Sequence, residues 1–161
     1  MAANVENGAI KFSYTADALF NDVGLISAFM TKNLYNEKGS LLDEFAITSD
    51  EREVFDVCVK QTLPNIFDEM LKMSANVTGI EEKEGNITLS VRDNNSYNDN
   101  ALTLVDMTIY DCLKYGVLKE FYSICVHADL LSLARGKYEE MLRLLNKRIV
   151  PLKMRSISSL Y

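Results

Sequence analysis

Three cysteines, one histidine and two acidic clusters are the residues of this chain whose chemistry could go beyond packing. Cys58, Cys112 and Cys125 stand far apart with no C-x-x-C pair, and His127 is the single histidine. Zinc sites and disulfide frameworks both need such groups paired at short, regular spacing, so neither is expected. The thiols read instead as small buried hydrophobes. A catalytic histidine needs a nucleophile or a carboxylate within hydrogen-bond reach. Nothing in the sequence places one beside His127, which falls where one helical run gives way to the next, so it reads as a linker histidine. Glu44, Asp50, Glu51 and Glu53 form one acidic set, and Glu81, Glu82 and Glu84 another. Paired carboxylates can do acid–base work, but these sets fall at a helix start and at a turn, where solvated acids are ordinary.

The stretch DNNSYNDN, residues 93–100, follows a calcium loop for three residues and then departs from it. Tyr97 stands where a ligand belongs, no glycine marks the bend, and Leu104 occupies the place of the bidentate acid. No G-x-G-x-x-G or G-x-x-x-x-G-K-[ST] run announces a phosphate-binding loop. The expectation is therefore no catalytic residue, no cofactor and no metal.

Elements that would position these residues follow from periodicity and punctuation. The 161 residues include only 7 glycines and 2 prolines, which favours long helices over a many-turned β fold, and 48% hydrophobic with 25% charged residues suits one globular domain. Apolar Ala16, Leu19, Phe20, Val23, Ile26 and Met30 recur at helical steps and predict a helix over about 15–34. A second helix opens at TSDE, residues 48–51, where Thr48 and Glu51 can form a capping box. Its apolar face runs from Phe55 to Met73, and Pro64 should kink or divide it. Ile87, Leu89 and Val91 alternate with Thr88, Ser90 and Arg92, predicting a β-hairpin over about 77–92 with Gly85 at its tip. A lone hairpin is marginal in water, so it must lean on the helices or pair with another chain. A third helix is expected over about 100–125, with Gly116 permitting close approach of another backbone. A fourth runs from about Ala128 to Ile149. The fold class is mainly α: a bundle of about four helices, residues 1–149, with an inserted β-hairpin and an extended C-terminal arm over 150–161. The apolar window ALFNDVGLISAFM is too short to span a bilayer, and the N-terminal residues lack the pattern of a secretory signal, so a cytoplasmic origin without a membrane is expected.

Charge is divided unevenly. Residues 1–134 carry 10 Lys and Arg against 21 Asp and Glu, whereas residues 135–161 carry 7 against 2. A nucleic-acid binder would spread basic residues over a folded face. Here they gather at one end of an acidic chain, in NKRIVPLKMRSISSLY. The attraction of a helix C-terminus for cations explains Lys147 and Arg148, but Lys153 and Arg155 lie beyond Pro151. An acidic surface on another copy of the chain would explain all of them. Arg148, Pro151, Lys153, Arg155 and Tyr161 in the arm, with Ile87 and Leu89 in the hairpin, are the candidate interface residues.

The run ALTLVDMTIYDCLKYGVLKEFYSICVHADLLSLARGKYEEMLRLLNKRIVPLKMR, about residues 100–155, resembles the helical head–tail connector proteins of tailed bacteriophages, nearest to those of phages of gut Bacteroides-type hosts. The likeness lies in an aromatic-containing helix ending near LKEFYSIC, a short turn, a helix carrying KYEEMLRLL, and the basic, proline-containing close KRIVPLKMR. It implies a structural virion protein without enzymatic activity, made in the bacterial host cytoplasm. Such proteins form a ring, implied here to be dodecameric, between the portal protein and the next neck or tail ring, and DNA only passes through the channel. An acidic body suits that passage, because holding phosphates requires Lys and Arg. Two other classes fit the residues: a cytosolic helical-bundle adaptor that binds a regulatory protein, and an enzyme whose site leaves no motif.

Overall fold

The computed structural model describes residues 2–6, 9–32, 45–73, 77–92 and 99–154, with side chains described for 9–32, 45–73, 77–92 and 100–149. In chain order the elements are strands β1 (Ala2–Glu6) and β2 (Ala9–Thr15), helix α1 (Ala16–Thr31), a 3-10 turn (Ser49–Glu51) leading into α2 (Arg52–Lys72), strands β3 (Val77–Lys83) and β4 (Asn86–Arg92), and helices α3 (Asp99–Ile124) and α4 (Ala128–Met154). The mainly helical fold with an inserted hairpin is as the sequence predicts. The addition is at the N-terminus, where β1 and β2 join the hairpin in one antiparallel sheet of order β1-β2-β4-β3.

The hairpin turns on Glu84 and Gly85, at φ 53° and 75°. Two consecutive residues with positive φ make the tight turn whose twist matches that of its strands, and glycine takes that conformation at no steric cost. β4 then pairs with β2 in a register that sets Tyr14 opposite Ile87, Phe12 opposite Leu89 and Ile10 opposite Val91. Because side chains alternate across a strand, these six share one face. All six are buried in the same core as the inner sides of the helices. The hairpin therefore leans on the helices and pairs with its own chain.

Caps define the helix starts. Thr15 Oγ1 accepts from the Ala18 N–H (3.2 Å) at the start of α1. At the turn before α2 the capping box is complete, with the Thr48 N–H donating to Glu51 Oε2 (2.7 Å). These bonds hold the Glu51 carboxyl below its usual range, chiefly through the Thr48 hydroxyl.

Neither proline ends its helix. α2 continues through Pro64 as a single element. α4 runs through Pro151 to Met154 rather than closing at Ile149. A proline removes one backbone donor and crowds the turn before it, but its φ is already helical and the residues after it keep their own N–H groups.

Gly116 is also reassigned. A Cβ at that position would stand 2.5 Å from Thr62 Cγ2 of α2 and 3.2 Å from the Tyr138 ring of α4. The glycine thus admits side chains from two helices at once, where a neighbouring backbone was expected. It lets α2, α3 and α4 close on a common point.

Candidate interaction surface

The interior holds a chain of polar contacts that fixes the sheet and α1 against α3. Tyr14 donates to Asp106 Oδ1 at 2.7 Å, and its ring stacks on Tyr110 with centroids 5.1 Å apart. Tyr110 in turn donates to Asp22 Oδ2 of α1 at 2.9 Å. Burial pushes the Tyr14 and Tyr110 hydroxyls well above the ordinary tyrosine value, so both remain hydrogen-bond donors. A buried carboxylate supplied with a donor in this way is positioned and satisfied. Its setting is that of a structural network.

The thiols and the histidine likewise serve the fold. Cys58 and Cys112 are buried, and burial pushes both thiols up to about 12, far from the reactive thiolate range. Cys125 is partly exposed and its thiol is also raised by burial. His127 Nδ1 accepts from the Leu130 N–H at 3.3 Å, capping the first turn of α4, and its ring meets Phe45 edge-on at 4.8 Å. Among the described residues no group of three or more His, Cys, Asp or Glu could hold a metal ion, and no helix is long and apolar enough to cross a membrane. The loop tested for calcium, 93–98, and Glu44 lie outside the described residues.

The candidate interface residues divide into three groups. Ile87 and Leu89 are 1% and 2% exposed, so they belong to the core and cannot meet another chain. Alternation puts them on the inner face because β2 covers one edge of the hairpin and the helices cover that face. The other edge, β3, carries Glu81, Glu82 and Lys83 and has a register irregularity between Val77 and Gly79, features that discourage strand addition. Arg148 is turned inward along the bundle. Its guanidinium donates to the Leu104 carbonyl oxygen at 3.0 Å and to Thr108 Oγ1, clamping the last turns of α4 to the first turns of α3. Pro151 and Lys153 lie in the last turn of α4 without described side chains, and Arg155 and Tyr161 lie outside the described residues.

Among the described helices the most exposed large apolar side chains are on α1. Leu25 and Phe29 are 71% and 75% exposed. Beside them runs an open groove of about 540 Å³ whose apolar lining is Phe20, Leu25, Ala28 and Ile47, with Thr48 and Ser49 at its edge. Its far wall is the segment before α2, held by specific bonds: the Ile47 N–H donates to Ser27 Oγ, and Ser27 donates to the Gly24 carbonyl oxygen, both at 2.8 Å. That close approach depends on Gly24, since a Cβ there would stand 3.2 Å from the Ile47 carbonyl oxygen.

At the α3–α4 turn, Val126 is 87% exposed at φ 54°. Bonds from the His127 N–H to the Tyr122 carbonyl and from the Val126 N–H to the Ser123 carbonyl make this a helix stop of the kind that usually takes glycine. A β-branched residue in that conformation is strained. The stop therefore holds an apolar side chain in water at a cost of about 1–2 kcal/mol.

Sequence reasoning passed over Leu25 and Phe29 because it followed the buried side of the helix. The signal was present in ALFNDVGLISAFM, which is apolar on more sides than one core face needs. Compared with known protein families, curated proteins and solved structures, the chain matches none.

Proposed function

We propose that this protein is a structural subunit that assembles with copies of itself into a ring, in the manner of the phage head–tail connectors that its C-terminal half resembles. The observation that carries the reading is the bare α1 face, where Leu25 and Phe29, the most exposed large apolar side chains on the described helices, project beside an apolar groove. Exposed apolar side chains gathered on one helix face mark surfaces that another protein covers. The uneven charge supports the same reading. A basic C-terminal segment and an acidic body on the same chain attract one another between copies, and head-to-tail contacts close into rings when the rotation allows. In a connector the acidic body would leave DNA free to pass, with the portal protein and the next neck or tail ring as the layers above and below.

The experiment is native mass measurement combined with electron-microscope class averages of the purified chain, alone and with a portal protein. Closed rings of one rotational symmetry, with masses that are whole multiples of the 18.2 kDa chain, are expected. A monomer under both conditions would overturn the ring and favour a bundle that offers its groove to a different protein.

A further inference from the structure

We infer that the α1 groove receives the segment around residues 153–161 of a second copy of this chain. This rests on the self-assembly proposed above and names the two surfaces that meet.

Complementarity of composition is the first argument. The segment KMRSISSLY carries Lys153 and Arg155 together with apolar Ile157, Leu160 and Tyr161. The groove offers the opposite on both counts. Its apolar lining is Phe20, Leu25, Ala28 and Ile47. The flanking stretches hold Asp17 on α1 and Asp50, Glu51 and Glu53 just after Ser49, against the single Arg52. Arg52 is already neutralised by Asp17 (2.8 Å) and Asp56 (3.3 Å). A basic, apolar segment therefore meets an apolar slot with acidic residues next to its Thr48–Ser49 edge.

Reach is the second argument, and it selects another copy over the same chain. Arg148 of α4 sits beside Leu104 and Thr108, near the start of α3. The groove lies further along α3, since Asp22 at its level meets Tyr110, past Thr108, and the groove wall at Ile47 leads back to Phe45, which touches His127 at the end of α3. α4 runs away from the groove as it leaves His127, so the chain at Met154 points the wrong way. Measured from Met154, six residues beyond Arg148, the offset along the bundle to the groove is about 15–20 Å at 1.5 Å rise per residue, before the width of α3 is crossed. Seven extended residues span at most about 25 Å, and reversing direction consumes several of them. A second copy meets no such limit.

The test places a photoreactive benzoylphenylalanine at position 161 of the full chain, mixed with an equal amount of isotope-labelled chain lacking it. After illumination, crosslinked peptides are mapped by mass. The inference predicts crosslinks between labelled and unlabelled copies that fall within residues 20–29 and 45–49. Crosslinks between copies that land elsewhere, in a chain that still assembles, would overturn the inference and leave self-assembly standing. Crosslinks confined to one copy would place the segment in its own groove and overturn it as well. A chain that never assembles and never crosslinks would overturn both readings.

A charge exchange supplies the second readout. The double variant Lys153→Glu with Arg155→Glu should assemble at least tenfold more weakly than the corresponding double alanine variant. Adding Asp50→Lys and Glu53→Lys to the reversed chain should recover most of that loss. Recovery by the exchange is expected only if the two surfaces face each other, and equal assembly of the alanine and glutamate variants would contradict it.

Discussion

α1 and α3 are the two most apolar helices of the bundle, yet they are covered to different degrees. α3 packs against α4, α2, α1 and β1, and along its length Val105, Ile109, Leu113, Val117 and Phe121 are buried, while Leu104, Met107 and Ile124 are only half-exposed. Its Gly116 admits Thr62 and Tyr138 so closely that a single added carbon would collide with them. α1 buries Leu19 and Val23 against the core, while Leu25 and Phe29 point into solvent. The difference separates two uses of apolar surface: on α3 it stabilises the fold, and on α1 it remains available to a partner. Changes on the covered side should therefore appear in unfolding experiments, and changes on the bare side only in assembly.

The largest expected effect is at Leu89, once a candidate for the interface and now buried opposite Phe12. Leu89→Ala should lower unfolding stability by about 2–5 kcal/mol through lost burial and the cavity left behind. Urea denaturation of the chain under dilute conditions measures this. An unchanged midpoint would return the hairpin to the surface.

Next comes Tyr14→Phe. It removes the donor that Asp106 accepts at 2.7 Å and leaves a buried carboxylate short of a partner, which should cost about 2–3 kcal/mol in the same assay. Near-equality with wild type would mean that the network holds the sheet to α3 only weakly.

Gly116→Ala sets two effects against each other. Alanine is better in a helix by about 1 kcal/mol, but the new methyl would stand 2.5 Å from Thr62 Cγ2. Overpacking in a rigid core costs about 1–3 kcal/mol, so the net change should be a loss of stability. Thr62→Ser, which deletes the offending methyl, should turn Gly116→Ala from harmful to neutral or favourable. A stabilising Gly116→Ala on its own would show that the three helices do not close there.

A smaller effect attaches to the capping box. Glu51 has a folded pKa below its ordinary value because the Thr48 hydroxyl and N–H stabilise the carboxylate. Its contribution is therefore present above the unfolded carboxylate pKa, about 4.3, and is lost as the pH falls through the folded value. Glu51→Gln should flatten that part of the stability-versus-pH curve and leave the alkaline side unchanged. Thr48→Ala should cost about 1 kcal/mol at neutral pH.

Local signals were the legible ones. The capping box, the Gly85 turn, the hairpin and the starts of all four helices depend on residues a few positions apart, and each was readable from them. β2 carried the same kind of signal in Ile10, Phe12 and Tyr14, but the helical reading begins at about residue 15 and assigns no element to the stretch before it. What local spacing could not convey was how elements meet. Ile87 and Leu89 look the same in sequence whether their face meets helices or another chain, and the answer depends on pairing with the distant β2, Phe12 with Leu89 among others, as the register shows. Arg148 fitted a surface cation until α3 supplied its acceptors. The candidate surface was hidden for the complementary reason: periodicity points to buried positions, and Leu25 and Phe29 are the positions left over.

The most direct test of the bare α1 face is the double variant Leu25→Glu with Phe29→Glu, followed by sedimentation equilibrium and thermal unfolding beside the wild type. Both side chains are largely exposed, so stability should shift by no more than about 0.5 kcal/mol. The wild type should sediment as a multiple of the 18.2 kDa chain and the variant as a single copy. Identical masses for the two, with folding intact, would contradict the account.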